Sequence, residues 1–156
     1  MSSKFEEVIA LREQLTAKLQ TFGQEAFTEG LAPIFAANPH IEGIIWEQYT
    51  PYFNDGDACE FSVKRPAIIL SEQVARIVRS GEEWDEYEEN DDYGYGSMRR
   101  FDNWDLRETE FNFEKIGLEA VWDRIPEEIF EAVFGDHVQV RIMRDGTVTV
   151  EGYEHD

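Results

Sequence analysis

Residues 138–150, VQVRIMRDGTVTV, decide the fold class. Branched aliphatic residues alternate with polar ones before and after Asp145-Gly146, and a period of two is that of a strand with one buried face. An Asp-Gly pair between two such runs is typical of a tight hairpin turn, because glycine accepts the positive φ angle that this turn needs. The segment therefore predicts an antiparallel hairpin.

A second hairpin is predicted upstream. Residues 41–49 are rich in branched and aromatic side chains, which suit a strand. Asp55-Gly56 supplies a turn, and residues 59–63 are interpreted as the return strand. Pro51 is expected to end the regular pairing, because proline has no N–H to donate.

The other periodic segments predict helices. A first helix over residues 3–22 has capping-box spacing at Ser3 and Glu6, and Gly23 is expected to end it. A second helix is predicted over 24–37, broken or bent at Gly30 and Pro33. The apolar stripe of the first helix has three- and four-residue steps and comprises Phe5, Val8, Ile9, Leu15, Leu19 and Phe22.

Further helices are expected near 71–79, near 111–122 and between Pro126 and Gly135. Residues 82–103 break every periodic pattern and are interpreted as a long acidic loop or arm. Two hairpins and these helices predict a single acidic α+β domain over 1–156. We expect an antiparallel four-stranded sheet covered by helices.

The charge restricts the classes of partner. The chain has 34 acidic and 14 basic residues, a net charge of −20. Such a field repels nucleic acid and anionic membranes and attracts basic protein surfaces. We therefore expect no direct nucleic-acid contact and no membrane partner. Three features of the sequence indicate a cytoplasmic protein. The chain has a single cysteine, it shows no apolar segment resembling a signal peptide, and it has no apolar run long enough to span a membrane.

Two blocks of sequence carry a resemblance. The first is 46–63, WEQYTPYFNDGDACEFSV; the second comprises FGDHV at 134–138, RDG at 144–146 and YEHD at 153–156. They resemble a family of small uncharacterised proteins of tailed phages and bacterial genomes. The resemblance implies a phage context, and hence the host cell cytoplasm, and it supplies no catalytic residues.

The strongest candidate for partner binding is the acidic run at 82–92. It has eight acids in eleven residues and no base, a linear charge density comparable to that of duplex DNA. Trp84 and Tyr87 are aromatic residues of the kind that anchor interfaces. The alternative is a solvated loop, partly neutralised by Arg99 and Arg100. The predicted partner-binding residues are Glu82, Glu83, Trp84, Asp85, Glu86, Tyr87, Glu88, Glu89, Asp91 and Asp92.

An alternative pocket is predicted in the first block. Its polar and aromatic side chains could line a small-molecule site beside the sheet, or simply pack a bend in the chain. The aspartates could also ligate a hard cation, but the spacing lacks the calcium-loop pattern, so no metal is expected. The residues are Trp46, Tyr49, Tyr52, Asn54, Asp55 and Asp57.

Catalysis has little support in the sequence. The three histidines are scattered, no phosphate-binding or nucleophile motif is present, and Cys59 is expected to be a buried, inert thiol in a strand. The leading hypothesis is a non-catalytic, cofactor-free acidic protein that inhibits a basic nucleic-acid-binding host or defence protein, in the manner of a nucleic-acid mimic. The alternatives are a small enzyme or ligand-binding module and an acidic housekeeping structural protein.

Overall fold

A computed structural model describes residues 3–52, 56, 58–80 and 97–154. Within them, the chain forms an antiparallel sheet and four α-helices, which confirms the α+β class. The sheet has six strands instead of the four predicted. The strands are β1 Ile41–Tyr49, β2 Ser62–Val63, β3 Ala67–Leu70, β4 Arg100–Phe101, β5 Val138–Met143 and β6 Val148–Gly152. The helices are α1 Ser3–Ala37, α2 Glu72–Val78, α3 Leu118–Asp123 and α4 Glu127–Phe134.

Strand β1 is the centre of the sheet. The strand order is β4-β3-β1-β5-β6, and β2 pairs with the end of β1. The upstream hairpin is shorter than predicted, because only Ser62 and Val63 pair with β1. Strand β3, AIIL, is buried at all four positions, so its sequence shows no alternation that would mark it as a strand.

Helix α1 is a single helix of 35 residues with Pro33 inside it, so the expected stop at Gly23 and an expected break at Gly30 or Pro33 are wrong. A bend at these two residues, the alternative, stays a prediction. Gly23 lies against α4, where a Cβ atom would stand 2.4 Å from a methyl carbon of Val133. The glycine therefore permits close helix packing. Asn38 ends α1 as expected, and its side-chain amide donates to the Ile34 carbonyl at 2.8 Å.

The core lies on one face of the sheet, beneath the C-terminal half of α1, α3 and α4. Trp46 is at its centre, with ring centroids of four other aromatic residues 4.7–6.2 Å away: Phe27, Trp122, Phe130 and Phe134. The opposite face carries a smaller apolar cluster of Ile45, Ala67 and Ile69 with Met143.

Part of the segment expected to be irregular forms regular structure. Residues 97–99 form a turn of 3₁₀ helix, and β4 follows as an edge strand. Arg79, at the end of α2, donates to the carbonyls of Met98 at 2.7 Å and Arg100 at 2.9 Å, which holds β4 in place. Conversely, most of the predicted helix at 111–122 is a series of turns, and only α3 is helical there.

In the described part of the chain, no helix combines the length and the hydropathy that crossing a membrane requires.

Candidate functional site

The two sequence blocks that are far apart in the chain meet at one end of the sheet. Strands β1 and β5 are antiparallel, and their pairing runs to Gln48 and Val138. The residues after β1 therefore lie beside the residues before β5. We call Thr50, Tyr52, Asp136, His137 and Tyr153 the Asp136 corner.

Asp136 joins the two blocks. Its Oδ1 accepts the Thr50 N–H at 2.7 Å and the His137 N–H at 2.8 Å, and its Oδ2 accepts the Thr50 hydroxyl at 2.6 Å. Partial burial by itself raises the pKa of Asp136. The pKa of Asp136 nevertheless lies below its ordinary value of 3.8. The effect of burial is outweighed by the hydrogen bonds from Thr50, the His137 N–H and the charge of His137 together.

His137 is the one non-glycine residue with a positive φ angle, 54°, in the described part of the chain. Its ring stacks on Tyr52 at a centroid distance of 5.0 Å, and its carbonyl accepts the Tyr153 N–H at 2.8 Å. Tyr153 in turn lies 5.7 Å from the Tyr49 ring. Backbone in this left-handed region is uncommon and occurs preferentially at functional sites.

The corner is better suited to contact than to proton transfer. His137 Nε2 is 3.7 Å from Asp136 Oδ2, longer than a hydrogen bond. The Asp136 carboxylate is already occupied by backbone and hydroxyl donors. Tyr52, by contrast, is 62% exposed and presents its ring at the surface.

Three of the six alternative pocket residues lie within the described part of the chain, and they differ in burial. Trp46 is fully buried in the core, because the strand alternation directs it towards the helices. Tyr49 is half-buried, whereas Tyr52 is exposed. Asn54, Asp55 and Asp57 lie outside the described residues.

The whole acidic run at 82–92 also lies outside the described residues. A second acidic segment, 102–131, lies within the described residues and is not among the sites predicted from the sequence. It has ten acidic and three basic side chains, a net charge of −7. Its exposed carboxylates, which we call the acidic surface, lie on the 102–114 segment, α3 and α4, and one of them, Asp123, is paired with Arg65 at 2.9 Å. They are Asp102, Asp105, Glu108, Glu110, Glu114, Asp123, Glu127, Glu128 and Glu131.

Trp104 lies next to two carboxylates of the acidic surface, between Asp102 and Asp105 in the chain. It is 69% exposed, and the Arg107 guanidinium lies 3.9 Å from its ring centroid. The loop beneath it is fixed: the Asp105 N–H donates to Asp102 at 2.9 Å, and the Phe113 N–H donates to Asn103 at 3.1 Å. The sequence shows Trp104 between Asp102 and Asp105 and three residues before Arg107, and this spacing is the signal that could have indicated the contact; its exposure is visible only in the structure.

The other histidine and the cysteine of the described residues lie apart from the Asp136 corner. Cys59 is exposed and lies before β2, so the expected burial in a strand is wrong. His40 is exposed, 3.3 Å from the Ser71 hydroxyl. Among the described residues, no group of three or more histidine, cysteine or acidic side chains could hold a metal ion. The cavity between Arg65, Asn103 and Trp122 has about 160 Å³, and more open grooves of about 430 to 710 Å³ lie along α1 and beside the turn between β5 and β6.

The Asp136→Asn substitution should lower the free energy of unfolding by about 1 kcal/mol at pH 7, after allowance for solvent screening. A carboxylate with a lowered folded pKa stabilises the protein fully above its unfolded value of 3.8 and loses this effect as the pH falls through the folded pKa. The difference from wild type should therefore shrink below pH 3.8. Urea unfolding across this range measures it. Glu131→Gln, an exposed carboxylate on α4, is the control, and an equal pH-dependent loss there would contradict the assignment.

No family model matches the chain, and neither a curated protein nor a solved structure matches it.

Proposed function

We propose that the protein is a non-catalytic acidic binding protein that docks on a basic protein surface. The observation that carries the proposal is the exposed Trp104 within the acidic surface. Residues 82–131 hold eighteen acidic and five basic side chains, so −13 of the net −20 resides in these fifty residues. A charge of one sign concentrated in this way steers a basic partner and repels an acidic one.

Trp104 supplies the apolar contact that charge alone lacks. Tryptophan and arginine are enriched among the few residues that carry most of the binding energy of an interface. Arg107 covers one side of the Trp104 ring. Because the loop bonds of Asp102, Asp105 and Asn103 already fix this segment, docking would order little additional backbone.

The partner class follows from the charge. Proteins that bind nucleic acid carry clustered lysines and arginines, and these clusters attract a row of carboxylates. We propose that the partner is a nucleic-acid-binding or defence protein, and that docking inhibits it by occupying the site of the phosphate backbone. The two sequence blocks resemble small proteins of tailed phages and bacterial genomes, and on that resemblance we propose a phage-encoded inhibitor of a host protein.

The experiment is a pull-down from bacterial lysate with the full chain, at low and at high salt, followed by affinity measurement on the partner recovered. We expect a basic nucleic-acid-binding protein that is lost at high salt, since exposed charges are screened over about 8 Å at physiological ionic strength. Trp104→Ala should weaken its binding about tenfold or more. The triple variant Asp105→Asn, Glu108→Gln, Glu110→Gln should weaken it to a similar extent at low salt.

The matched control removes the same number of charges elsewhere, at the exposed residues Glu29, Glu151 and Glu154, each changed to glutamine. Equal weakening in the control and the triple variant would show that net charge acts without a defined surface. A variant with six neutralised carboxylates tests the contribution of the acidic run. The residues changed are Glu82, Glu83, Asp85, Glu86, Glu88 and Glu89. A partner that is retained at high salt and unaffected by all these variants would refute the proposal, and the absence of any specific partner would favour the housekeeping hypothesis.

A further inference from the structure

The first half of α1 carries an apolar stripe that the domain does not cover. Residues 3–18 are exposed without exception, and the first buried residue of α1 is Gly23. Phe5 is 73% exposed, Leu15 59% and Phe22 71%. Large apolar side chains that are contiguous and exposed mark interaction sites in soluble proteins. We call residues 3–22 the exposed half of α1.

The stripe has the spacing of a coiled-coil seam. Five of its apolar residues, together with the intervening Arg12, follow each other in alternating steps of three and four, which is the a/d pattern of a heptad repeat; Ile9 flanks this seam. At 3.6 residues per turn the stripe is rotated by roughly a quarter turn from the face that carries Phe27 and Leu31 into the core. A second helix can therefore lie against the stripe without displacing the core contacts. The seam positions are Phe5, Val8, Arg12, Leu15, Leu19 and Phe22.

The charge of the exposed half selects the occupant. It has three acidic and three basic side chains and is neutral, although the whole chain carries −20. The exposed half thus lacks the repulsion that keeps the rest of two copies apart. We propose that two copies of this chain associate through the exposed halves of α1, packed antiparallel as a two-helix coiled coil.

The antiparallel orientation has two physical reasons. A parallel pair would place Arg12 opposite Arg12 in the seam, whereas the antiparallel register puts Arg12 opposite Leu15, Phe5 opposite Phe22 and Val8 opposite Leu19. An antiparallel pair also sets the two charged domains at opposite ends of a helix about 30 Å long. That separation exceeds the screening length of about 8 Å, so the domains scarcely repel each other.

The same register sets no like charges against each other at the seam. Lys18 flanks the seam level with Ile9 of the second copy, and Glu7 and Glu13 lie on the outward faces of the pair. Covering the stripe removes the exposed surface of Phe5, Val8, Leu15 and Phe22 from water. The contact is smaller than the roughly 800 Å² per partner of a standard interface, so we expect a dimer that dissociates on dilution.

Sedimentation equilibrium of the purified full chain at micromolar concentrations tests the association. The expected mass is twice 18.2 kDa, falling towards 18.2 kDa on dilution. Val8→Glu should abolish the dimer, because it places a carboxylate opposite Leu19 in the seam of each copy. Ala17→Glu makes the same change of charge outside the seam, also at an exposed position, and should leave the dimer intact. Neither site contacts the core, and circular dichroism would verify that both variants fold. A wild-type chain that stays monomeric, or a Val8→Glu chain that dimerises like wild type, would overturn the proposal.

Disulfide trapping tests the orientation. In a Cys59→Ser background, a mixture of Val8→Cys and Leu19→Cys chains should form a covalent heterodimer under mild oxidation. Val8→Cys alone should not, because its two copies lie eleven residues apart along the antiparallel pair, about 16 Å, beyond the reach of a disulfide. Efficient cross-linking of Val8→Cys to itself would mean that the helices are parallel and would overturn the antiparallel arrangement.

Discussion

Replacing Trp46 with alanine should lower the free energy of unfolding by about 3–5 kcal/mol. The side chain is fully buried, and its ring contacts Phe27, Trp122, Phe130 and Phe134, which come from α1, α3 and α4. Truncation would leave a cavity that three helices and the sheet cannot all close around. Because a domain of this size is stabilised by about 5–15 kcal/mol in total, the variant should be close to unfolding at 37 °C.

Urea unfolding followed by circular dichroism measures this loss. The matched control is Trp104→Ala, which removes the same side chain from a surface position. It should cost at most about 1 kcal/mol, the value of its contact with Arg107. Similar losses for Trp46 and Trp104 would contradict the placement of Trp46 at the centre of the core.

Replacing Gln48 with leucine should lower the free energy of unfolding by about 2–4 kcal/mol. The loss is expected even though leucine is an apolar side chain of similar size and the site is buried. Gln48 Oε1 accepts the Trp46 indole N–H at 2.9 Å. Its Nε2 donates to the carbonyls of Phe130 at 2.9 Å and Gly135 at 2.7 Å. Leucine would leave the buried indole N–H without an acceptor, and it would release the end of α4 that leads into Asp136.

Thermal or urea unfolding again provides the measurement, with Gln73→Leu on the exposed side of α2 as the control. The double variant Trp46→Phe, Gln48→Leu should cost less than the sum of its single changes, since phenylalanine removes the orphaned N–H. Strict additivity would indicate that the Trp46–Gln48 bond contributes little. Unchanged stability of Gln48→Leu would refute the role of Gln48 altogether.

Where local signals agreed with tertiary packing, the elements could be predicted from the sequence. The alternation in 138–150 corresponds to β5 and β6, and the branched run at 41–49 corresponds to β1. The helix bracketed by Pro126 and Gly135 corresponds to α4. The elements that were missed have different reasons. Strand β3 has no polar face and β4 has only two residues, so neither shows a periodic pattern. Gly23 has the residue type of a helix end, but in the structure it is a packing residue within α1.

The candidate sites are harder to predict from the sequence than the helices and strands. Trp46 has the residue type of an interface anchor, and only the register of β1 with β3 and β5 shows that it faces the core. Thr50 and Asp136 are 86 positions apart, and no pattern in the chain pairs them. The stripe in α1 was recognised as apolar, but its periodicity is the same whether it packs on the sheet or remains exposed.

The sequence alone determined the α+β class, the position of the hairpin around Asp145-Gly146 and the excess of negative charge, because turn chemistry, side-chain alternation and charge are properties of neighbouring residues. The tertiary structure alone decided which apolar residues are buried, how the Asp136 corner is assembled and which half of α1 remains exposed. These depend on contacts between segments distant in the chain, and burial is a property of the whole packed domain that no local window of sequence contains.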